Sequence, residues 1–315
     1  MRLCALSVDL DEIGCYHAIH GLPPPEGPPA HAVYASAVPR FRELFATLGV
    51  PATFFVIGRD LDDPAAFEGA KNLARDGHEL GNHSQNHRYD LTRLDPDAMR
   101  AEVHDGMHSI ARAQGYPPSG FRAPGYTVND RLLDVLSGEG VFYDSSVFPC
   151  PTYWTMKAAA IGAIQLLGRR SRSIVDTPAV LAAPADPYIP GRPYWQRTQK
   201  ETSLLELPIG VTRGLRLPYI GTYLAAAGVK GTSLLTAQMA GRALVNLELH
   251  GIDLLDEHDG LDALRPHQID VRVPVGQKLA VFRSVIEDLG RRGYTFVTLK
   301  DAARAFSDEL QPPRA

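Results

Sequence analysis

Short apolar runs, rich in β-branched and aromatic residues, alternate with helical patterns along most of this 315-residue chain. Eight of these runs are predicted strands, near residues 3–10, 53–57, 79–82, 120–123, 141–145, 204–208, 244–250 and 295–299. Helical patterns lie between them at residues 37–48, 65–76, 96–114, 129–139 and 277–292. Such alternation is typical of βα units and a largely parallel sheet. We therefore expect an α/β fold, a closed or distorted (β/α) barrel of seven or eight strands; a doubly wound open sheet is the alternative.

Two stretches interrupt this alternation. Residues 20–30 are rich in Pro and Gly without periodicity, which predicts a surface loop. Residues 148–202 are rich in Pro, Tyr, Trp and Arg and are too long for a plain connection. We therefore expect a single domain over residues 1–315, with an insert at about 148–202 that covers or builds a binding site.

Charge and cysteine content exclude several classes of protein. The chain has 36 acidic and 32 basic residues and a net charge of −4, so no basic field favours a nucleic acid partner. The three cysteines are odd in number and form no CxxC pair, which indicates neither a disulfide framework nor a cysteine zinc site. The first predicted strand begins at residue 3, and the longest apolar run, residues 158–167, is shorter than the ~20 residues that span a bilayer. These features predict a soluble cytoplasmic protein.

Two acidic residues end the first predicted strand. Side chains alternate along a strand, so Asp9 and Asp11 face one side and Leu10 the other. Neighbouring carboxylates repel each other unless a cation or a proton lies between them. In a barrel, the carboxyl end of a strand is the active-site face. The pair is therefore a candidate for chemistry, with two solvated acids as the alternative.

Two histidines follow the third predicted strand. His83 and His87 are four residues apart, which on a helical turn would put both imidazoles on one side. Two imidazoles and one carboxylate form a three-ligand site with open positions for water, the pattern of a hydrolytic metal. Alone, such histidines would be surface or capping residues, but the acidic pair favours a metal site. Zinc is the first choice, and cobalt, nickel or manganese fit the same ligands.

Two further positions suit catalysis. Arg122 precedes a Pro-Gly turn, where it could hold a carboxylate by two parallel hydrogen bonds while the turn aims a backbone N–H into the site. His250 ends the predicted strand at residues 244–250, a position suited to acid–base work. A satisfied core histidine is the alternative for His250.

Taken in order, these motifs resemble those of the polysaccharide deacetylase (NodB-homology) family, distorted (β/α) barrels that hydrolyse N-acetyl groups on glycans. The family's first motif commonly reads Thr-Phe-Asp-Asp-Gly. Residues 7–12 read Ser-Val-Asp-Leu-Asp-Glu, an Asp-x-Asp variant similar to the branch with some peptidoglycan deacetylases and the deformylases of lipid-linked aminoarabinose. The second motif, His-Ser/Thr-x-x-His, is matched in full at residues 83–87, and the third, Arg-x-Pro, at residues 122–124. Residues 143–146 and 247–250 resemble the fourth and fifth motifs.

The resemblance implies a metal-dependent hydrolase of C–N bonds other than peptide bonds. It would remove an acetyl or formyl group from an amino sugar in a glycan or glycolipid. The implied catalytic and metal-binding residues are Asp9 as base, Arg122 as its positioning group, Gly125 as the oxyanion amide, His250 as acid, and Asp11, His83 and His87 as metal ligands. The expected substrate contacts are Tyr126, Asp144 and Trp195, the last forming with Tyr194 either a stacking platform or a packed loop.

Two other functions stay open, namely hydrolysis of a non-sugar amide and carbohydrate binding without catalysis. The first is found in allantoinase-like relatives of this fold, which tend to lose metal ligands. The insert also has several interpretations. Its apolar run at residues 158–167 precedes Arg169, Arg170 and Arg172, which predicts peripheral contact with the inner membrane face and a lipid-linked sugar. A lid helix or a contact between copies in a homo-oligomer is the alternative.

Overall fold

The computed structural model describes residues 2–198 and 204–310, and within these ranges eight strands form one sheet. The strands are β1 (Leu3–Asp9), β2 (Thr53–Val56), β3 (Glu79–Asn82), β4 (Gly120–Phe121), β5 (Tyr143–Asp144), β6 (Leu205–Glu206), β7 (Leu244–His250) and β8 (Thr295–Val297). The helices are α1 (Ile13–His20), α2 (Val38–Leu48), α3 (Pro64–Arg75), α4 (Pro96–Gln114), α5 (Asp130–Gly138), α6 (Pro151–Leu166), α7 (Gly221–Met239), α8 (Ile269–Arg272), α9 (Val275–Arg291) and α10 (Leu299–Leu310).

All strands pair in parallel, in the order β6-β5-β4-β3-β2-β1-β7. β1 pairs with β7 along its whole length, which sets Asp9 opposite His250. β8 pairs with Leu3–Ala5 at the beginning of β1, and β2 pairs with Ser7–Asp9 at its end. A hydrogen bond of 2.8 Å from the Gly210 N–H, beyond β6, to the Asn246 carbonyl of β7 joins the two outer strands. The predicted α/β class and distorted (β/α) barrel are therefore confirmed.

The two faces of β1 pack against different surroundings. Cys4, Leu6 and Val8 join the large apolar cluster between the sheet and the surrounding helices. Leu3 and Ala5 join a second cluster inside the barrel. Because strand side chains alternate, the odd-numbered residues of β1, from Leu3 to Asp9, all face the barrel interior. The acidic pair therefore arises from the interior face of the central strand.

The barrel interior changes from apolar to polar along the strands. At the amino-terminal end of β1, α10 packs Leu299 and Phe306 into the interior cluster. Further along, Ser7, Ser145 and Asn246 are buried and linked by hydrogen bonds around Arg122. The carboxyl end of a parallel barrel is where such folds place their sites. The buried polar layer thus lies directly beneath the predicted site.

Some elements differ from the sequence-based prediction. The pattern did not predict α7, because this helix is apolar on nearly all sides and contains three glycines, so no polar face marks its period. It also missed α1, whose last residue, His20, was assigned to the predicted loop. The eighth strand ends at Val297 rather than at residue 299, because Leu299 begins α10.

The predicted insert lies between β5 and β6 and contains α6. Residues 199–202 of the insert fall outside the described residues. In the described part of the chain, no helix combines the length and the apolar character that a membrane crossing requires.

Because the barrel interior is closely packed, we expect a side chain added at Gly120 to destabilise the fold. A Cβ added there would overlap the Tyr143 ring, whose hydroxyl donates to Glu79 Oε1 at 2.9 Å. Because that ring is buried and tethered, we expect Gly120→Ala to lower the free energy of unfolding by about 1–3 kcal/mol. Urea denaturation measures the change. The control is Gly138→Ala at the end of α5, where a Cβ meets no atom within 4 Å; equal losses in both variants would contradict the argument.

Candidate active site

Arg122 is the centre of the polar layer. It is fully buried just beyond β4, and its Nη1 donates to Asp9 Oδ1 at 2.7 Å. Its Nη2 donates to Ser7 Oγ at 3.0 Å and to Ser145 Oγ at 2.9 Å, and its Nε donates to the Ser145 carbonyl at 2.9 Å. The predicted pair of parallel bonds to one carboxylate is therefore wrong: one bond reaches Asp9 and the others fix the guanidinium in the barrel wall. One Asp9 oxygen is thereby held in place.

The three predicted metal ligands come together beside this pair. The Nε2 atoms of His83 and His87 each lie 3.2 Å from Asp11 Oδ1. His83 Nδ1 donates to the Arg122 carbonyl at 2.6 Å, which leaves Nε2 facing the carboxylate. All three side chains are at least nine-tenths buried. The structure thus brings one carboxylate and two imidazoles to a common point.

The loop that carries the histidines is not the predicted helical turn. Residues 83–88 are irregular, with left-handed backbone at Ser84 (φ 64°) and His87 (φ 52°). Such conformations are strained for residues other than glycine and persist only where neighbours hold them. The Ser84 hydroxyl accepts the His87 N–H, and buried Glu102 of α4 accepts both the N–H and the side-chain amide of Asn86, each at 2.9 Å. These loop contacts, rather than helix periodicity, place both imidazoles on one side.

The ionisation of these groups reflects their burial and their mutual charges. Burial alone would raise the pKa of Asp11, but His87 and His83 hold it well below its ordinary value. Burial lowers the pKa of His87. For His83 the charges of Asp9 and Asp11 outweigh burial and raise the pKa. The cluster therefore favours an anionic Asp11 next to a neutral His87.

Cys15 of α1 lies beside two of these residues, which the cysteine count did not indicate. Its Sγ, a carboxylate oxygen of Asp11 and a ring nitrogen of His87 all lie within 4.8 Å of one another. Burial raises the pKa of the Cys15 thiol well above its ordinary value. Because the thiolate is the form that binds metals, a thiol held protonated is a weak ligand. Asp11 and the two histidines remain the favoured set.

His250 ends β7 with an acidic partner that sequence reasoning missed. Its Nδ1 lies 2.8 Å from Glu248 Oε1, and its Nε2 lies 3.1 Å from the Tyr126 hydroxyl. Burial favours the neutral ring, but the buried Glu248 carboxylate outweighs it and raises the pKa of His250 well above its ordinary value. The signal was present in the sequence, since residues two apart on a strand share a face. His250 is therefore set up to hold a proton at neutral pH.

Of the two backbone N–H groups in the turn after Arg122, those of Gly125 and Tyr126, only the first is a candidate for binding an oxyanion. Gly125 has a left-handed backbone (φ 63°), and the Tyr126 N–H donates to the Ala123 carbonyl at 3.0 Å. The Tyr126 amide is thereby used within the turn, which leaves Gly125 as the candidate oxyanion donor. The Gly125 carbonyl accepts a hydrogen bond of 2.8 Å from Lys157 Nζ of α6. Lys157 had no sequence signal because it reaches the turn from the insert.

Two predicted substrate contacts lie elsewhere. Asp144 is fully buried; its Oδ1 accepts from the Ser146 hydroxyl, and it shares its surroundings with the buried Glu206 carboxyl. Trp195 packs edge-on to Tyr194, against the apolar cluster that also contains residues of α4 and α5. The structure therefore does not bring Asp144 and Trp195 to the candidate ligand set: the Asp144 side chain is buried in the barrel wall, and Trp195 packs on its outside. Their contact with a substrate stays a prediction. Tyr126 remains at the site through its contact with His250.

The contact between Glu248 and His250 predicts a pH dependence. We expect Glu248→Gln to lower the pKa of His250, measured by NMR titration of the metal-free protein, while Glu309→Gln at the far end of α10 leaves it unchanged. Folding raises the pKa of His250 above its unfolded value of about 6.5. The contact between Glu248 and His250 therefore makes its full contribution to the free energy of unfolding below about pH 6.5. This contribution is lost as the pH rises through the folded-state pKa, so Glu248→Gln should cost more stability at low pH than at high pH. An unchanged His250 titration would contradict this assignment.

Comparison with known proteins matches part of the chain to a family. A model of the polysaccharide deacetylase family matches residues 27–142. The uncharacterized protein YlxY of Bacillus subtilis (strain 168) is 31% identical over 86 residues, or 27% of this chain and 26% of that protein. The match thus spans about a quarter of the relative's length.

Solved structures show the same fold over nearly the whole chain. A protein of Mycobacterium smegmatis assigned as a polysaccharide deacetylase superposes with a TM-score of 0.62 and 18% identity, covering 100% of this chain and 93% of that one. The Puue allantoinase superposes with a TM-score of 0.61 and 14% identity, covering 97% and 90%. At these identities the likeness concerns the fold alone. Together with the family match and the order of the motifs, it confirms the resemblance recognised from the sequence: residues 27–142 are similar to the polysaccharide deacetylases, and the whole chain shares their fold.

Proposed function

We propose that this chain is a metal-dependent amide hydrolase that removes an acetyl or formyl group from the nitrogen of an amino sugar in a glycan or glycolipid. The observation that carries the proposal is the convergence of His83 Nε2 and His87 Nε2 on Asp11 Oδ1, each at 3.2 Å, in a buried site. Asp9 and His250 lie opposite each other on the neighbouring strands β1 and β7. The residues proposed as base, acid and metal ligands thus lie at one end of the barrel.

These residues fit a divalent cation. Because His83 Nδ1 donates to a carbonyl, the Nε2 of the neutral ring would turn its lone pair toward the Asp11 carboxylate, where two acceptors repel. Asp11 Oδ1 and His87 Nε2 are buried without a hydrogen-bond partner among the described residues, a costly arrangement unless a proton or a cation joins them. Zinc suits this ligand set, with cobalt, nickel or manganese as alternatives. When bound, such a cation supplies Lewis acidity, which polarises the acyl C=O bond and makes water more acidic.

Asp9 would act as the general base. Arg122 holds its Oδ1, while its Oδ2 lies 3.8 Å from His83 Nε2 and so faces the ligand set. A carboxylate fixed at one oxygen can accept a proton at the other without turning. Asp9 would therefore take a proton from water as the oxygen attacks the acyl carbon.

His250 would act as the general acid. Glu248 favours its protonated ring, and Tyr126 orients that ring through the contact at Nε2. The departing amine needs a proton as the C–N bond breaks, and an imidazolium at this position can donate it. The Gly125 N–H would stabilise the oxyanion, in a turn held by Lys157.

The alternatives differ from this proposal in chemistry rather than in fold. The Puue allantoinase matches the chain about as well as the M. smegmatis protein does, so the fold does not separate sugar from non-sugar amides. Retention of all three presumed ligands favours the deacetylase function over an allantoinase-like one. A protein that only binds sugar would need neither the Arg122-held carboxylate nor the Glu248-paired imidazole.

The direct test is mass spectrometry of N-acetyl and N-formyl amino sugars, glycolipids and allantoin after incubation with the metal-loaded protein. Release of acetate or formate from an amino sugar is the expected result. Hydrolysis of allantoin alone would favour the second function. Sugar binding without turnover by a metal-loaded protein would favour the third.

Metal binding should depend on both histidines. We expect the His83→Ala, His87→Ala double variant to lose its metal equivalent and its hydrolysis, because three ligands leave little redundancy. Elemental analysis after dialysis measures the bound metal. His104 and His108 are a matched control, since they are exposed and four residues apart on α4. Their double alanine variant should keep the metal; a full equivalent retained without His83 and His87 would rule out the assignment.

The base should be separable from the ligands. We expect Asp9→Asn to keep the metal while lowering turnover by a factor on the order of 10² or more, as for loss of a general base. Asp11→Asn should instead lose the metal, because it removes the one anionic ligand of the proposed set. Metal content and kcat are measured on the same preparations. If Asp9 proves essential for metal loading and Asp11 does not, the two roles are reversed.

A further inference from the structure

We infer that the outer part of α6 and the basic segment after it form a docking surface for an anionic lipid membrane. This surface consists of Leu166, Leu167, Arg169 and Arg170. It is separate from the catalytic residues and needs no turnover to operate. The inference rests on charge, on exposure and on the way in which α6 is attached to the site.

Acidic residues are absent from two long stretches of the chain, one of which contains α6. The chain has 36 acidic residues, yet residues 145–175, which contain α6, have none, and neither do residues 207–247, which contain the neighbouring α7. The first stretch carries Lys157 and three arginines, Arg169, Arg170 and Arg172. Within the described ranges, none of these arginines forms an ion pair. A protein of net charge −4 thus has a stretch of 31 residues, 145–175, whose charged side chains are all basic.

The apolar side chains of this region face outward. Leu166 is 91% exposed and Leu167 is 74% exposed, next to the arginines. No residue of α6 is fully buried, although the helix is apolar on nearly all sides. Single exposed leucines are common on protein surfaces, but two adjacent ones beside arginines suit a membrane interface, where leucines enter the acyl chains and arginines stay at the headgroups.

The other end of α6 is attached to the candidate active site. Lys157 donates to the Gly125 carbonyl, and the Tyr153 ring packs on Tyr126 with centroids 5.7 Å apart. Arg172, beyond the helix, lines a cavity of about 510 Å³ that also contains His87. A membrane that held the outer part of α6 would therefore lie close to the mouth of the site.

A membrane fits this surface better than a second copy of the chain does. A two-fold contact would set the same arginines against each other, and residues 145–175 offer no carboxylate to compensate them. Anionic lipid headgroups supply the missing negative charge, and acyl chains accept the leucines. The occupant consistent with both the charge and the apolar side chains is thus an anionic bilayer.

Vesicle flotation tests the inference. Wild-type protein should float with vesicles of phosphatidylglycerol and phosphatidylcholine at low salt, and much less with phosphatidylcholine alone. We expect Leu166→Glu, Leu167→Glu and, separately, Arg169→Glu, Arg170→Glu to weaken partitioning at least about tenfold. Arg172 is left unchanged because it lines the cavity at the site. The matched control is Arg131→Glu, Arg283→Glu, which makes the same charge change at exposed positions on α5 and α9.

Three outcomes would overturn the inference. The first is no affinity of the wild-type protein for anionic vesicles, and the second is an equal loss in the control variant, which would indicate a general charge effect. The third is a dimer, seen by analytical ultracentrifugation, that disappears in the leucine variant. Hydrolysis of a water-soluble N-acyl amino sugar should be unchanged in the two surface variants. Failure of docking is therefore distinguishable from failure of the proposed catalysis.

Discussion

The ion pair between Arg122 and Asp9 is the interaction on which the site depends. Both side chains are buried inside the barrel, where an uncompensated charge is costly. Removing one partner of such a pair typically costs about 3–5 kcal/mol, because the other charge is left unpaired. The pair is sustained by the serine hydroxyls around the guanidinium and by the Phe55 ring, which lies 4.2 Å from Arg122 Cζ. The same atoms that balance the arginine orient the presumed base.

Arg122 also contacts both the presumed base and one presumed metal ligand. Its side chain holds Asp9 and its backbone carbonyl accepts from His83 Nδ1, so one residue orients the presumed base and fixes the tautomer of a presumed ligand. His87 depends on a different support, the left-handed loop held by Glu102 of α4. The presumed acid, His250, depends on a third support, the Glu248 carboxylate within β7. The site is thus assembled from the ends of separate strands, each with its own buried polar partner.

The insert is the least regular part of the fold and the part most closely connected with the candidate site. Helix α6 contributes Lys157 to the turn at Gly125 and Tyr153 to the packing around Tyr126. Burial lowers the pKa of Lys157 to about 8, so the bond to Gly125 forms in a region of restricted water. Helix α6 is therefore connected to the presumed oxyanion turn by two direct, partly buried contacts.

The sequence by itself determined the α/β class, the parallel strands and the face on which Asp9 and Asp11 lie, because these follow from local periodicity. It also indicated that Arg122 and His250 end strands, since both follow short apolar runs. Local patterns could not reveal the contacts that depend on distant segments, such as Lys157 with Gly125, Glu102 with Asn86, or Cys15 beside His87. The helical turn assigned to the two histidines was wrong for the same reason. Their placement depends on a loop conformation that α4 stabilises, and only tertiary packing could decide it.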